Sequence, residues 1–265
     1  MKFKNVLVIY MKPKYKEEKQ ALAIVLQTLK KHHIHFTVIE RSERTEKMCC
    51  DRDLIIIVGG DGTFLRGSHF ITDAIVFGVN AHPMKKEGFL MQADSSDFAE
   101  KFSKLIHDKA RIIALARLET TIIHNGVQKK LADSLNEVFV GHRLPYKMSR
   151  YTLIIGKKKE YQKSSGIIIG TAIGSHAWLA SAGGKKFPIP AKKFQYIVRE
   201  AYQGRLHQHQ LFKGVFDVKD ELRIIIESSH LIVVIDSLSE EYPVQQGDIL
   251  VIKASKKPLR YVYFE

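Results

Sequence analysis

Through its first hundred residues the chain alternates short, unbroken apolar runs with stretches of helical periodicity. The run at 6–10 is followed by a Lys/Glu-rich stretch in which Leu22, Val25, Leu26 and Leu29 recur three and four residues apart, the interval that lines one face of a helix. Further runs at 34–39, 54–58 and 75–79 are rich in Ile and Val, as strands covered on both faces are. A second helix is predicted from about Ser96, burying Phe98, Phe102 and Leu105. Strands and helices in alternation predict a parallel sheet covered by helices.

Near residue 110 the pattern changes. Short β-rich runs succeed one another closely, at 111–115, 119–123, 137–140, 151–155, 166–169, 222–226, 231–235 and 249–252, with helices predicted only at 174–182 and 194–202. Such spacing predicts a sandwich-like second domain. The expected organisation is an α/β N-terminal domain with a parallel sheet over 1–108, a β-rich, sandwich-like C-terminal domain over 109–250, and a tail over 251–265 with the option of returning to the first domain. No repeat, low-complexity tract or Pro-rich linker interrupts this organisation.

Composition narrows the class without naming a function. The chain has 265 residues, 45% hydrophobic and 26% charged, as a folded chain of one large or two ordinary domains would. The only cysteines are the neighbours Cys49 and Cys50, whose adjacency would strain a mutual bridge and leaves no framework of spaced pairs. A reducing compartment is expected. No run approaches the roughly 18 apolar residues of a membrane span, and the chain enters a strand-like stretch with no leader before it, so a cytoplasmic location and no membrane partner are expected. The formal charge of +14 attracts polyanions but does not separate nucleic acid from nucleotides or an acidic protein. Lysine pairs and triplets are scattered at 30–31, 129–130, 157–159, 185–186, 192–193 and 256–257, the pattern of solvated faces. Nucleic acid is therefore not the expected partner.

The strongest chemical feature is the apolar run 54–58 leading into Gly59, Gly60, Asp61, Gly62 and Thr63, and then Phe64, Leu65 and Arg66. A buried strand delivers a glycine bend at which a helix begins. Glycines there permit φ > 0 and close approach, so that amide N–H groups can point at phosphate oxygens. Asp61 beside a triphosphate must hold a metal, receive a proton, or do both in sequence, because like charges otherwise repel. In phosphoryl transfer a carboxylate within reach of the acceptor hydroxyl takes its proton, and Asp61 suits that role. The spacing fits neither a Walker loop nor a dinucleotide-binding Gly-x-Gly-x-x-Gly. The histidines, including His32, His33, His35, His207 and His209, never pair with Cys or acidic residues at metal-ligand spacing, so no structural zinc and no protein metal ligand are expected.

This loop resembles the one shared by NAD kinases, diacylglycerol- and sphingosine-type lipid kinases and phosphofructokinases. The rest of the sequence narrows the resemblance to the NAD kinases, over nearly the whole chain. Asn136-Glu137 before a short strand is similar to the Asn-Glu/Asn-Asp pair with which that family holds adenine and ribose. The segment from Ser165 to Gly184 falls where the family has its Gly-Asp-Gly strand and Thr-Pro-Thr-Gly-Ser-Thr-Ala-Tyr stretch. Three departures look more like the mitochondrial-type branch: Ser164-Ser165-Gly166 for Gly-Asp-Gly, His176-Ala177-Trp178 for Thr-Ala-Tyr, and an extended loop over 81–90.

The resemblance implies a two-domain kinase, both domains contributing to the site, that phosphorylates the 2′-hydroxyl of the adenosine ribose of NAD or NADH to give NADP. ATP or polyphosphate is the donor. Asp61 would be the base; Gly59, Gly60, Gly62, Thr63 and Arg66 would hold the donor phosphates. Asp61, Gly62, Asn136, Glu137, Lys163, Ser165, His176, Ala177, Trp178 and Ser181 would contact NAD. Ser165 in place of an expected carboxylate puts the choice between NAD and NADH in question. Trp178, the only tryptophan, either stacks on a base or fills a domain interface, and His176 either donates to ligand or is a surface histidine. Lys163 and Lys185 join Arg66 as candidates for phosphate neutralisation. Mg²⁺ would arrive with the triphosphate, since phosphates and few carboxylates usually hold it. A homodimer or homotetramer is implied. A non-catalytic dinucleotide sensor and a lipid kinase are the alternatives; Phe64-Leu65-Arg66 stands where lipid kinases continue with Asn-Glu.

Overall fold

The computed structural model describes residues 3–205 and 209–264. His207 lies outside the described residues. The chain forms two compact units, one running to Ala114 and resumed at Lys257, the other spanning Leu115–Lys256.

The first unit runs β1 (Val6–Tyr10), α1 (Lys16–Lys31), β2 (Phe36–Glu40), α2 (Glu46–Cys49), β3 (Leu54–Gly59), α3 (Asp61–Ser68), β4 (Ile75–Asn80), β5 (Ala93–Asp94), α4 (Phe98–Ile106) and β6 (Arg111–Leu115). β1, β2, β3 and β4 pair in parallel in the order β2-β1-β3-β4. Every residue of β3 is buried, and each Leu or Ile so removed from water stabilises the fold by about 1.5 to 3 kcal/mol. Helix α1 packs Ala21, Val25 and Leu29 against Val6, Val8, Ile56 and Phe102 in one core. Its entry is fixed by Glu18, whose carboxylate accepts the amides of Lys14 and Tyr15.

The strand order reverses direction at β1, with β2 on one side and β3 on the other. In open parallel sheets ligands bind outside the carboxyl ends of the strands where the order reverses. The bend after β3 sits at such an end.

The second unit comprises β7 (Leu118–His124), β8 (Val127–Lys130), β9 (Glu137–His142), β10 (Ser149–Ile155), β11 (Lys158–Ser164), β12 (Gly166–Gly170), a 3₁₀ turn (Gly174–His176), α5 (Trp178–Ser181), β13 (Lys193–Arg199), β14 (Lys213–Asp217), β15 (Glu221–Ile226), β16 (Leu231–Ile235), β17 (Glu241–Val244) and β18 (Ile249–Ala254). Two six-stranded antiparallel sheets, β11-β10-β15-β18-β7-β8 and β14-β13-β12-β9-β16-β17, close on one core that includes Tyr151, Ile167, Phe194, Ile224 and Leu231. This is the β-rich, sandwich-like domain. The last strand, β19 (Leu259–Tyr263), joins the first unit's sheet beside β4, in parallel.

The predicted helix at 194–202 is corrected: Lys193–Arg199 is strand β13. Phe194, Tyr196 and Val198 enter the main core, whereas Ile197 packs with Ile168 and Leu179 on the opposite face. A strand buried on both sides places apolar residues at 194, 197 and 198, an interval that mimics a helix.

Candidate active site

Strand β3 ends at Gly59, Gly60 is extended (φ −134°, ψ −176°), and α3 starts at Asp61. None of Gly59, Gly60 and Gly62 has positive φ, so the left-handed freedom that glycine permits is not used at this bend. Space is the reason for two of them. A Cβ on Gly59 would lie 2.6 Å from Thr63 Oγ1, and one on Gly60 2.9 Å from Lys86 Cδ. A Cβ on Gly62 would meet nothing within 4 Å, so no neighbour among the described residues demands glycine there. The first amides of any helix lack intrahelical acceptors, and here they open beside an exposed Gly62.

Asp61 is half-buried. Its Oδ1 accepts the amide of Leu90 at 2.8 Å and its Oδ2 that of Phe89 at 3.1 Å. The extended loop predicted over 81–90 thus ends by gripping this carboxylate. Tyr261 of β19 donates its hydroxyl to the Leu90 carbonyl at 3.0 Å and sets its ring edge against Phe64. Burial raises the Tyr261 phenol above its ordinary range, with the Asp61 charge adding to the effect. Two of the roughly four lone-pair sites of a carboxylate are used by the amides, leaving Asp61 fixed in direction yet able to accept again.

The loop is anchored at its other side by Lys86, which pairs with the buried Glu18. Burial pushes the Glu18 carboxyl up, but the Lys86 hydrogen bond and the amides of Lys14 and Tyr15 outweigh it and leave it below the usual range. Cationic groups cluster beside α3. Arg41 donates to Thr63 Oγ1 at 3.2 Å, Arg44 donates to the Arg66 carbonyl at 2.8 Å, and burial first, then repulsion from Arg66 and Arg41, lowers the pKa of Arg44. The apolar pattern carries no signal for Arg41 or Arg44; their position just after a strand end is the only hint in the sequence.

In the second unit Asn136, in the turn before β9, and Glu137, the first residue of β9, are both buried. Asn136 Oδ1 and Glu137 Oε2 have no hydrogen-bond partner among the described residues. Two unmet buried acceptors on adjacent side chains call for donors from outside the chain, since a buried polar atom left unpaired costs about 1 to 3 kcal/mol. Glu137 Oε1 accepts the Ser237 hydroxyl at 2.8 Å. Its carboxyl is pushed up to about 7, by burial above all, against the Ser237 bond and with the Asp236 charge assisting. The turn's carbonyl side is clamped by Thr171, whose hydroxyl donates to Leu135 O and whose amide donates to Asn136 O.

His176 is half-buried, with Nε2 on the Phe187 carbonyl at 2.7 Å, a strut rather than a surface histidine. Trp178 is half-buried within its unit, between Phe139 (5.2 Å between rings) and the Arg199 guanidinium (5.2 Å from the ring). Ala177 joins the 3₁₀ turn to α5, and Ser181 ends α5, exposed. Ser165 gives its amide to the Arg199 carbonyl. Lys163 stands over the Tyr202 ring, and Lys185 is exposed, its amide bonded to Gln195. Cys49 is buried and Cys50 exposed, unbridged; burial, then its neighbour, raises the Cys49 thiol to about 11. Among the described residues no group of three or more His, Cys, Asp or Glu side chains is arranged to hold a metal ion, and no helix is long and apolar enough to cross a membrane.

Both the sequence and the fold have counterparts among known proteins. Residues 2–110 match the model of the ATP-NAD kinase N-terminal domain. A probable NADH kinase of Oryza sativa is 26% identical over 278 residues, covering 96% of this chain and 83% of the relative. An NAD kinase of Thermoplasma acidophilum is 31% identical over 217 residues, covering 80% and 74%. The solved structure of an NAD kinase from Archaeoglobus fulgidus in complex with ATP superposes with a TM-score of 0.80 at 22% identity, covering 98% of this chain and 94% of that one.

Proposed function

The chain belongs to the NAD kinase family, and from that premise we propose that Asp61 is the base that activates the adenosine ribose 2′-hydroxyl of NAD for attack on a donor triphosphate. In that step the hydroxyl gives its proton to the Asp61 carboxylate, the ribose oxygen forms a bond to the γ-phosphorus, and the bond from that phosphorus to the β–γ bridging oxygen breaks. NADP and ADP leave. The observation that carries this reading is the Asp61 carboxylate itself, aimed by the amides of Phe89 and Leu90 at the start of α3 and still half exposed.

The division of labour derives from the chemistry of each unit. The opening amides of α3 with Gly59, Gly60, Gly62 and Thr63 receive phosphate oxygens, and Arg66 with Arg41 neutralises them. Gly62, which nothing among the described residues crowds, leaves its amide open to a close phosphate oxygen. Asn136 and Glu137 receive the adenosine: the Asn136 side-chain amide, its oxygen unmet, matches the donor and acceptor edge of adenine, and Glu137 Oε2 accepts from a ribose hydroxyl. Ser165, His176, Ala177, Trp178 and Ser181, with Lys163, line the path of the remainder of the dinucleotide.

Mg²⁺ would arrive with the triphosphate. Its fit here rests on the donor set: the half-buried Asp61 carboxylate keeps lone pairs beyond those taken by the Phe89 and Leu90 amides and would offer the ion one oxygen, the phosphates the others, as Mg²⁺ favours. When bound it draws charge from the transferring phosphoryl group.

NADH is proposed as a second acceptor, supported by the Oryza relative described as a probable NADH kinase. Polyphosphate offers the loop the same oxygens as ATP and is proposed as an alternative donor. The unbridged, adjacent cysteines support a cytoplasmic location, and a homodimer or homotetramer is the proposed assembly. The test is purified protein with Mg²⁺, offered ATP or polyphosphate against NAD and NADH, with the product identified by mass. A phosphorylated dinucleotide is expected; its absence under saturating ATP overturns the reading.

A further inference from the structure

Asp236 belongs to none of the motifs that point to the reaction, yet it is one of the most completely bonded side chains in the second unit. It comes directly after β16, is 2% exposed, and sends its carboxylate to the entry of β9, where Asn136 and Glu137 stand, a hundred residues away in sequence. Its Oδ1 accepts the Ser134 hydroxyl at 2.7 Å, the Asn136 amide at 2.7 Å and the Glu137 amide at 3.2 Å. Its Oδ2 accepts the Leu135 amide at 3.0 Å. Three successive amides converging on one carboxylate form an anion nest, here filled by the protein's own side chain. The link is closed in return by the Asp236 amide, which donates to the Glu137 carbonyl at 2.8 Å.

The backbone conformation points the same way. Asp236 and Ser237 both have φ of 52°, the left-handed region that non-glycine residues seldom adopt. Two in succession persist only where the surroundings over-determine them. What they deliver is the Asp236 carboxylate to the nest and the Ser237 hydroxyl to Glu137 Oε1 at 2.8 Å. One bend after β16 therefore sets both the backbone of the turn and the side-chain direction of Glu137.

We propose that Asp236 is the positioning residue of the adenosine site: by gathering the amides of Leu135, Asn136 and Glu137 it holds the two unmet acceptors, Asn136 Oδ1 and Glu137 Oε2, in the geometry that binds the dinucleotide. It touches no ligand itself. This inference rests on the reading that Asn136 and Glu137 receive adenosine, and it adds that their affinity is set from β16 through a buried carboxylate. Losing a buried hydrogen bond to a charged group shifts an equilibrium by about 10- to 100-fold.

The experiment measures NAD binding by calorimetry in the absence of any donor, with KM for NAD, KM for ATP and kcat alongside, and a thermal melt for folding. Asp236→Asn keeps the volume but turns a donor toward the Leu135 amide. It should weaken NAD binding about 10-fold and raise KM for NAD to match, while KM for ATP stays within about 2-fold and kcat falls by less than KM rises. Ser134→Ala removes one of the four donors and leaves the carboxylate, and should weaken NAD binding about 3-fold; it also serves should the Asn variant fail to fold. Asn136→Ala separates this inference from its premise. If Asn136→Ala weakens NAD binding while folded Asp236→Asn and Ser134→Ala bind NAD as the wild type does, the positioning role is overturned and the adenosine site stands. If Asn136→Ala also binds NAD unchanged, the adenosine site was misplaced and both fall. A loss in which KM for ATP and KM for NAD move together would mark Asp236 as generally structural and likewise overturn the proposal.

Discussion

Replacing Glu137 by Gln should stabilise the ligand-free protein at pH 8 and leave it nearly unchanged at pH 5. The Glu137 carboxyl is 2% exposed, with one oxygen on Ser237 and the other without a partner among the described residues. Burial, the larger cause, and the nearby Asp236 charge raise it from 4.5 to about 7, against the Ser237 bond. At about 1.4 kcal/mol per unit the shift corresponds to about 3 kcal/mol between the protonated and ionised forms. The folded state holds this proton more tightly than the unfolded chain, so the stability the group contributes is fully present below about 4.5 and is lost as pH rises through about 7. Gln carries no charge at any pH, but sets an NH₂ where Oε2 stands unpartnered, at a cost of about 1 kcal/mol. The net gain at pH 8 is about 2 kcal/mol, or about 4 to 8 °C in Tm for a chain of this size. At pH 5, where the wild-type carboxyl is protonated, the two proteins should agree within about 1 kcal/mol. Thermal melts of both proteins across pH 5 to 8 measure the gap. A gap independent of pH, or a wild type that gains on the variant as pH rises, would refute a buried, proton-retaining Glu137.

Other substitutions probe each unit separately. Arg41→Ala removes the guanidinium on Thr63 Oγ1; KM for ATP should rise about 10-fold with NAD affinity unchanged, read from steady-state kinetics with each substrate varied. Gly174→Ala places a Cβ 2.0 Å from the Asn136 carbonyl oxygen, a backbone atom that cannot swing aside. It should cost about 1 to 3 kcal/mol in a denaturant melt and weaken NAD binding, and retention of both would show that the 3₁₀ turn does not brace Asn136.

The loop that carries Asp61 was legible because β3 is buried on both faces: an unbroken apolar run ending in glycines has few other readings. The order of strands and helices in the first unit was legible for the same reason. The sandwich was read from spacing alone, but individual strands escaped. β11, Lys158–Ser164, is a sheet edge rich in lysine and shows no apolar run, and charged residues on edges are how sheets avoid pairing with other chains. β13 mimicked a helix because both its faces are buried. Asn136 and Glu137 were found through resemblance; their chemistry became visible only with their unmet oxygens. Arg41, Lys86 and Asp236 act on residues 22, 68 and 100 positions away, and periodicity along a chain holds no information about such pairs. The grip of Phe89 and Leu90 on Asp61 escaped likewise, because backbone amides leave no mark in a sequence.

The central claim is tested most directly by measuring NADP formation by Asp61→Asn under saturating ATP, Mg²⁺ and NAD, with NAD affinity determined on the same preparation. Asn keeps the shape of the side chain but cannot take the proton, so kcat should fall by about 10² to 10⁴ while NAD still binds. A folded variant that makes NADP at close to the wild-type rate would contradict the assignment of Asp61 as the base.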